Sequence, residues 1–306
     1  MESPLLYPVK LEDTFIRVLD ETLLPNRVHY IKVTSLKDAC YCIKEMKTRS
    51  LGQVLLCCYS FVLFEQKNSI EEICNQFTDI RPTFDFPMIG VIIKKIISGG
   101  APLKHAVLSF IDSFDKARRT RAFKMASLLP KNAKILTLCN VNGDLILIYN
   151  EMIKMIKTAC FYVSETRPYL QGTRLTFWEL KENKIPTTLI CDNQAALLMK
   201  EKKINSVVVG ADRATTNGDI INKTGTYALA CMAKYFEIPF FSLTQYPRNI
   251  NVDDIEIEER PTEELFIYHN NIGNINAIYP AFDITKSEYI TNSVELVVQQ
   301  QRGRAK

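Results

Sequence analysis

The sequence predicts an α/β protein: a parallel sheet wound with helices, preceded by a smaller, mostly helical N-terminal domain that carries a short β element. Three observations predict it. Between Ser35 and about Ser127 apolar residues recur at helical spacing. From Lys134 onward short β-rich runs alternate with helical segments. Within that second region Val207-Val208-Val209 is an uninterrupted β-branched run, the pattern of a strand covered on both faces. A chain of 306 residues is long enough for two domains with separate cores. The expected division is 1–127 and 128–306, with Leu128 to Ala133, reading LLPKNA, as the link.

The N-terminal β element is expected from Phe15 to Leu19 and from Val28 to Val33, joined by a turn at Pro25-Asn26. Leu36, Ala39, Cys40, Ile43 and Met46 then mark a helix with Ser35 as its N-cap. Further helices are expected over Gly52–Gln66, Ser69–Gln76, Phe86–Ile97 and Pro102–Ala126. In the second domain the strands are expected at Lys134–Leu138, Thr158–Val163, Thr187–Ile190, Ser206–Val209 and Phe240–Leu243. Helices fall between them at Leu145–Ile156, Gly172–Asn183, Asn193–Lys202 and Lys223–Phe236. Right-handed crossovers between parallel strands make this sheet Rossmann-like.

Composition excludes several classes. A 47% hydrophobic and 24% charged chain with a net charge of +4 spread along its length is that of a soluble protein with no marked partner preference. Nine cysteines without a CxxC pair or matching histidines indicate neither a disulfide framework nor a zinc site. Met1–Lys10 shows no secretory leader, which predicts reduced thiols and a cytoplasmic location. The longest apolar run, Val54 to Phe64, is far short of the roughly 20 residues of a membrane span and reads as a buried helix. No GxGxxG follows the first strand of the sheet and there is no P-loop, so no nucleotide cofactor is expected. The basic run Lys116–Lys124 reads as a solvated helical face rather than a nucleic-acid site.

Chemistry is concentrated where strands end. Gly210 turns the chain after Val209, so Asp212 and Arg213 fall at the carboxyl edge of the sheet, where open α/β sheets bind ligands. Asn222 and Lys223 follow at an expected helix start, whose N–H groups and dipole favour an anion. Cys139 ends another strand at the same edge, beside Asn140, and is a candidate nucleophile, acid or base. Spacing alone leaves Asp212 and Arg213 equally readable as a structural ion pair, and Cys139 as a small buried hydrophobe. Gln171 is a candidate hydroxyl ligand, and Arg167 and Arg174 are either phosphate clamps or partners of Glu165 and Glu179. Arg49 and Arg81 lie in the helical domain and are candidates to reach a phosphate across an interdomain cleft. His29, His105 and His269 have no partner at a telling spacing and read as structural.

Ordered motifs along most of the chain resemble the methylthioribose-1-phosphate isomerases, whose relatives include ribose-1,5-bisphosphate isomerases and regulatory subunits of the eukaryotic initiation-factor exchange complex. Leu19-Asp-Glu-Thr-Leu-Leu-Pro25 is similar to the family's LDQTLLP. Ile43 to Arg49, Arg81-Pro-Thr83, Leu136-Thr-Leu-Cys-Asn140, Glu165-Thr-Arg-Pro168, Gln171-Gly172, Gly210 to Tyr227, Ile257 to Pro261 and Pro280 to Thr285 follow in the family's order. The resemblance implies a cofactor-free, metal-free aldose–ketose isomerase acting on a 5-substituted ribose 1-phosphate, commonly as a homodimer. It assigns catalysis to Cys139 and Asp212, and substrate or phosphate contacts to Arg49, Arg81, Gln171, Asn222 and Lys223. The chain departs where the family's RGAPAIG reads Arg49-Ser-Leu-Gly-Gln-Val-Leu55, where the histidine before the catalytic cysteine is Leu138, and where Asp144 brings a negative charge. These departures point to an analogue such as the 5-deoxy sugar, or to a sugar-phosphate-binding or regulatory protein without catalysis.

Overall fold

A computed structural model of the chain describes residues 3–82, 84–245, 251–252, 255–266 and 276–298. His269 lies outside them. Contacts divide the chain into two compact units, 1–116 and 117–306.

In the first unit β1 (Val9–Leu11), β2 (Ile16–Leu19) and β3 (Tyr30–Val33) form an antiparallel sheet in that order. Helix α1 (Leu36–Lys44) starts at a capping box of Ser35 and Asp38. Helix α2 (Ser50–Leu63) is apolar nearly all round and accordingly buried, packed on β1 and β2. Helix α3 (Ile70–Ile80) has its own capping box, Ser69 with Glu72, and packs against α4 (Phe86–Ser98) through Phe77 and Phe86, whose rings meet edge-on. Helix α5 (Leu103–Leu128) contains the point where the two units divide.

The second unit is built on six parallel strands: β4 (Asn132–Thr137), β5 (Thr158–Ser164), β6 (Thr187–Ile190), β7 (Ser206–Gly210), β10 (Phe240–Gln245) and β12 (Asn292–Leu296). Their spatial order is β12-β10-β7-β4-β5-β6. Val207, Val208 and Val209 are completely buried, as an inner strand requires. Four helices are interleaved: α6 (Asp144–Lys154), α7 (Trp178–Glu182, extended backwards by a π-helical stretch from Gly172), α8 (Ala195–Lys200) and α9 (Thr226–Tyr235). From β4 the chain steps outward through β5 to β6, then returns to the opposite side of β4 to lay down β7. The strand order therefore reverses between β4 and β7, and the crevice above that reversal is where such sheets bind ligands.

Beyond β7 the chain adds β8 (Arg213–Ala214) and β9 (Ile220–Lys223), which with β11 (Phe282–Thr285) form a small antiparallel sheet, β11-β9-β8. This sheet corrects one expectation. Asn222 and Lys223 do not open a helix; they end β9, facing Asp283 and Phe282 of β11 in register. Ile220 and Ile221 give that segment a buried strand, and Gly225, at φ +107°, turns the chain so that α9 starts only at Thr226. Among the described residues no single helix is long and apolar enough to cross a membrane.

Candidate active site

Cys139 lies two residues beyond β4 and Asp212 two beyond β7, so both stand at the carboxyl edge on the two strands that flank the reversal. The thiol is held from three directions. Its backbone N–H donates to Thr166 Oγ1 at 2.9 Å, its carbonyl accepts from Thr176 Oγ1 at 2.6 Å, and its sulfur accepts from Gln171 Nε2 at 3.4 Å. Cys139 adopts φ +68°, and Asn142, Thr166 and Leu170 around it are also left-handed. Each such residue costs about 1–3 kcal/mol and persists where its surroundings over-determine it. Gln171 is buried, and its Oε1 has no hydrogen-bond partner among the described residues. Gly172 is required beside it: a Cβ there would stand 1.8 Å from the Ser164 carbonyl oxygen.

The β7 edge is more open. Asp212 donates its backbone N–H to Ile221 O at 2.9 Å and its side chain is exposed, while Arg213 pairs with Ile221 across the β8–β9 ladder. Asn222 and Lys223 are buried. Asn222 donates through Nδ2 to Thr226 Oγ1 at 2.9 Å, and Gly210 brings the β7 backbone close to it, since a Cβ on Gly210 would lie 4.0 Å from Asn222 Oδ1. Lys223 donates through Nζ to the Tyr279 hydroxyl at 2.6 Å. The start of α9 is not open to an anion: Asp283 accepts from the N–H groups of Gly225 at 2.7 Å and Tyr227 at 3.2 Å. Burial pushes the Asp283 carboxyl above its usual value, and these two bonds pull it back down.

Asp144 does not present an uncompensated charge to the crevice. It is buried as the first residue of α6 and bridges two buried arginines, Arg118 at 3.0 Å and Arg121. Arg118 also donates to Asn142 O at 2.5 Å, and Arg121 to Thr244 O at 3.0 Å. This corrects part of the expected solvated basic face: Lys116, Arg119 and Lys124 are exposed, but Arg118 and Arg121 are 3% and 5% exposed and serve the loop that carries Cys139. Helical spacing alone could not show it, because their partner lies on another element.

In the first unit Arg81 is held by Gln53, while Arg49 opens the helix that carries Gln53. Gln53 accepts from Arg81 Nη1 at 2.6 Å and donates to Thr48 O at 3.0 Å. Arg49 is the N-cap of α2, its N–H donating to the buried Glu21 at 3.0 Å. Leu51, Gln53 and Leu55, the bulkier residues of the altered loop, are all buried within this unit. Gln53 and Glu21 were not singled out by sequence; both are polar residues in apolar surroundings, which was the available signal. Arg167 and Arg174 are engaged locally, Arg167 with the Leu265 carbonyl at 2.6 Å and Arg174 over the Tyr169 ring. His29 sits just before β3 with its carbonyl accepting from Asp20 N–H, and His105 is exposed on α5.

The Initiation factor 2 subunit family matches residues 49–294. The chain is 34% identical to methylthioribose-1-phosphate isomerase of Caldicellulosiruptor saccharolyticus over 315 residues, covering 92% of both chains. It is 32% identical to the enzyme of the same name from Anaeromyxobacter sp. over 297 residues, covering 90% of this chain and 88% of that one. Its fold superposes on the crystal structure of 5-methylthioribose 1-phosphate isomerase from Pyrococcus horikoshii with a TM-score of 0.80 at 25% identity, covering 96% and 93% of the two chains. Initiation factor eIF-2B subunit delta from A. fulgidus gives a TM-score of 0.75 at 25% identity, with 94% and 93% covered. Agreement over nearly the whole chain leads to one assignment: the chain belongs to the Initiation factor 2 subunit family, and within it to the methylthioribose-1-phosphate isomerases.

Proposed function

We propose that the chain isomerises a 5-substituted ribose 1-phosphate to the corresponding ribulose 1-phosphate, with methylthioribose 1-phosphate, the sugar its relatives are named for, as the first substrate to test. One observation carries the reading: Cys139 and Asp212 extend from the two strands that flank the topological reversal. An anomeric phosphate prevents spontaneous ring opening, so the ring oxygen needs a proton as its bond to C1 breaks. Asp212 supplies that proton, and Cys139 removes the proton from C2. The resulting enol, still phosphorylated at O1, becomes the C2 ketone when Cys139 returns its proton to C1 and the C2 hydroxyl proton passes to Asp212, so both groups are restored and no atom is gained or lost. General acid and base groups of this kind contribute about 10²–10⁴-fold each.

Gln171, which already contacts the Cys139 sulfur, is proposed to bond a sugar hydroxyl through its unsatisfied Oε1. Asn222 and Lys223, with Arg49 and Arg81, are proposed as substrate and phosphate contacts on the family resemblance. The same resemblance suggests a cytoplasmic homodimer working without cofactor. The test is to incubate the purified protein with methylthioribose 1-phosphate, 5-deoxyribose 1-phosphate and ribose 1,5-bisphosphate and follow the ketose C2 signal by ¹³C NMR. Conversion of the first faster than the others is the expected result. Conversion of none removes the assignment.

A further inference from the structure

Lys223 meets one side chain in two ways. Its Nζ lies 2.6 Å from the Tyr279 hydroxyl oxygen and 4.6 Å from the centroid of the same ring. The ammonium therefore sits beyond the oxygen-bearing rim and not above the ring centre, and the hydrogen bond dominates the contact. An ammonium can only donate, so the Tyr279 oxygen is the acceptor. Both side chains are buried, at 6% and 5% exposure.

Tyr279 is itself held by backbone on both sides. Its carbonyl accepts from Arg260 N–H at 2.9 Å. The next two carbonyls bind Thr224, the residue after the lysine: Pro280 O accepts from Thr224 Oγ1 at 2.5 Å and Ala281 O from Thr224 N–H at 3.2 Å. One strap, leading into β11, thus fixes both the end of β9 and the acceptor for its lysine. A lysine side chain loses rotamer freedom when it is pinned. Pinning it before the ligand arrives removes that cost from the binding step.

We infer that Tyr279 is a positioning residue for the substrate phosphate, acting by fixing the Lys223 ammonium at the end of β9. The inference rests on the proposed role of Lys223 as a phosphate contact. Steady-state kinetics on the accepted sugar phosphate, with inorganic phosphate as a competitive inhibitor, tests it in Tyr279→Phe, Lys223→Met and the double variant. A phosphate is bound alike in ground and transition states, so Y279F raises KM and the phosphate inhibition constant together by roughly tenfold, with kcat within about twofold. The double variant then behaves as K223M alone, because without the ammonium there is nothing for the hydroxyl to position. Additive losses overturn the inference, as does an unchanged KM in Y279F, or a Y279F protein that fails to fold and so shows the hydroxyl to be structural. If K223M itself leaves KM and phosphate inhibition unchanged, the premise about Lys223 fails instead, and the kinetics of the two single variants separate these cases.

Discussion

The two loops that leave the carboxyl edge at the strand reversal are each tied down by one buried or half-buried aspartate, but in opposite ways. Asp144 anchors the loop carrying Cys139 as an ion cluster, shared between Arg118 and Arg121, with the arginines also holding the carbonyls of Asn142 and Thr244. Asp283 anchors the segment after Asn222 and Lys223 by accepting backbone N–H groups at the start of α9. The first device locks a left-handed, strained backbone around a thiol, and the second organises a helix start beneath an unstrained strand end. The difference teaches where precision is concentrated. The Cys139 loop is over-determined from β5, α5 and β10, whereas Asp212, just beyond β7, is exposed, its backbone N–H donating to Ile221 O.

The largest expected effect tests whether these two unlike edges serve one reaction. Cys139→Ser and Asp212→Asn should each lower turnover by at least about 10³-fold while the thermal midpoint moves little, since neither removes a packed volume. A thermal melt beside the NMR assay reads both. If one variant keeps wild-type turnover, the pair is not a catalytic pair and the edges do different work.

Next in size is the ion cluster. Asp144→Ala leaves Arg118 and Arg121 buried without their shared carboxylate, and breaking a buried pair in this way costs about 3–5 kcal/mol. Urea unfolding at neutral pH measures it. A loss below about 1 kcal/mol would mean that water reaches the arginines and that the Cys139 loop is less firmly held than its contacts indicate.

Much of this arrangement was readable from residues in sequence. Five of the six parallel strands register as β-rich runs: the inner Val207–Val209 because burial on both faces leaves no polar alternation, and the edge strand Thr187–Ile190, met residue for residue, by its β-branched residues. Spacing places Cys139 and Asp212 at strand ends, where this class of sheet carries ligands, while their pairing as catalytic residues comes from the family resemblance. What was not legible depends on partners far along the chain. Arg118 and Arg121 follow the same spacing as any solvated helical face, and only the fold brings Asp144 beneath them. The β9 strand was read as a helix start because its four residues, Ile220–Lys223, are too few to show a period and its pairing partner β11 lies some sixty residues on. Strands β1, β8, β11 and β12 were likewise not foreseen.

The smallest effect tests the second anchor, Asp283, through its proton linkage. Burial raises the Asp283 carboxyl above its ordinary value of 3.8. In the window just above that value the folded chain therefore holds a proton that the unfolded chain has released, so the contribution of Asp283 is fully present below the window and falls as pH rises through it. Asp283→Asn keeps one acceptor oxygen for the α9 N–H groups and does not titrate. The stability difference between wild type and D283N should accordingly shift against wild type as pH climbs from about 3.5 to about 6, by less than about 1 kcal/mol for a group that is still partly solvated. Urea midpoints for both proteins across that range give the sign. A shift in favour of wild type would mean that the fold favours the charged carboxylate, and would overturn burial as what sets the Asp283 carboxyl.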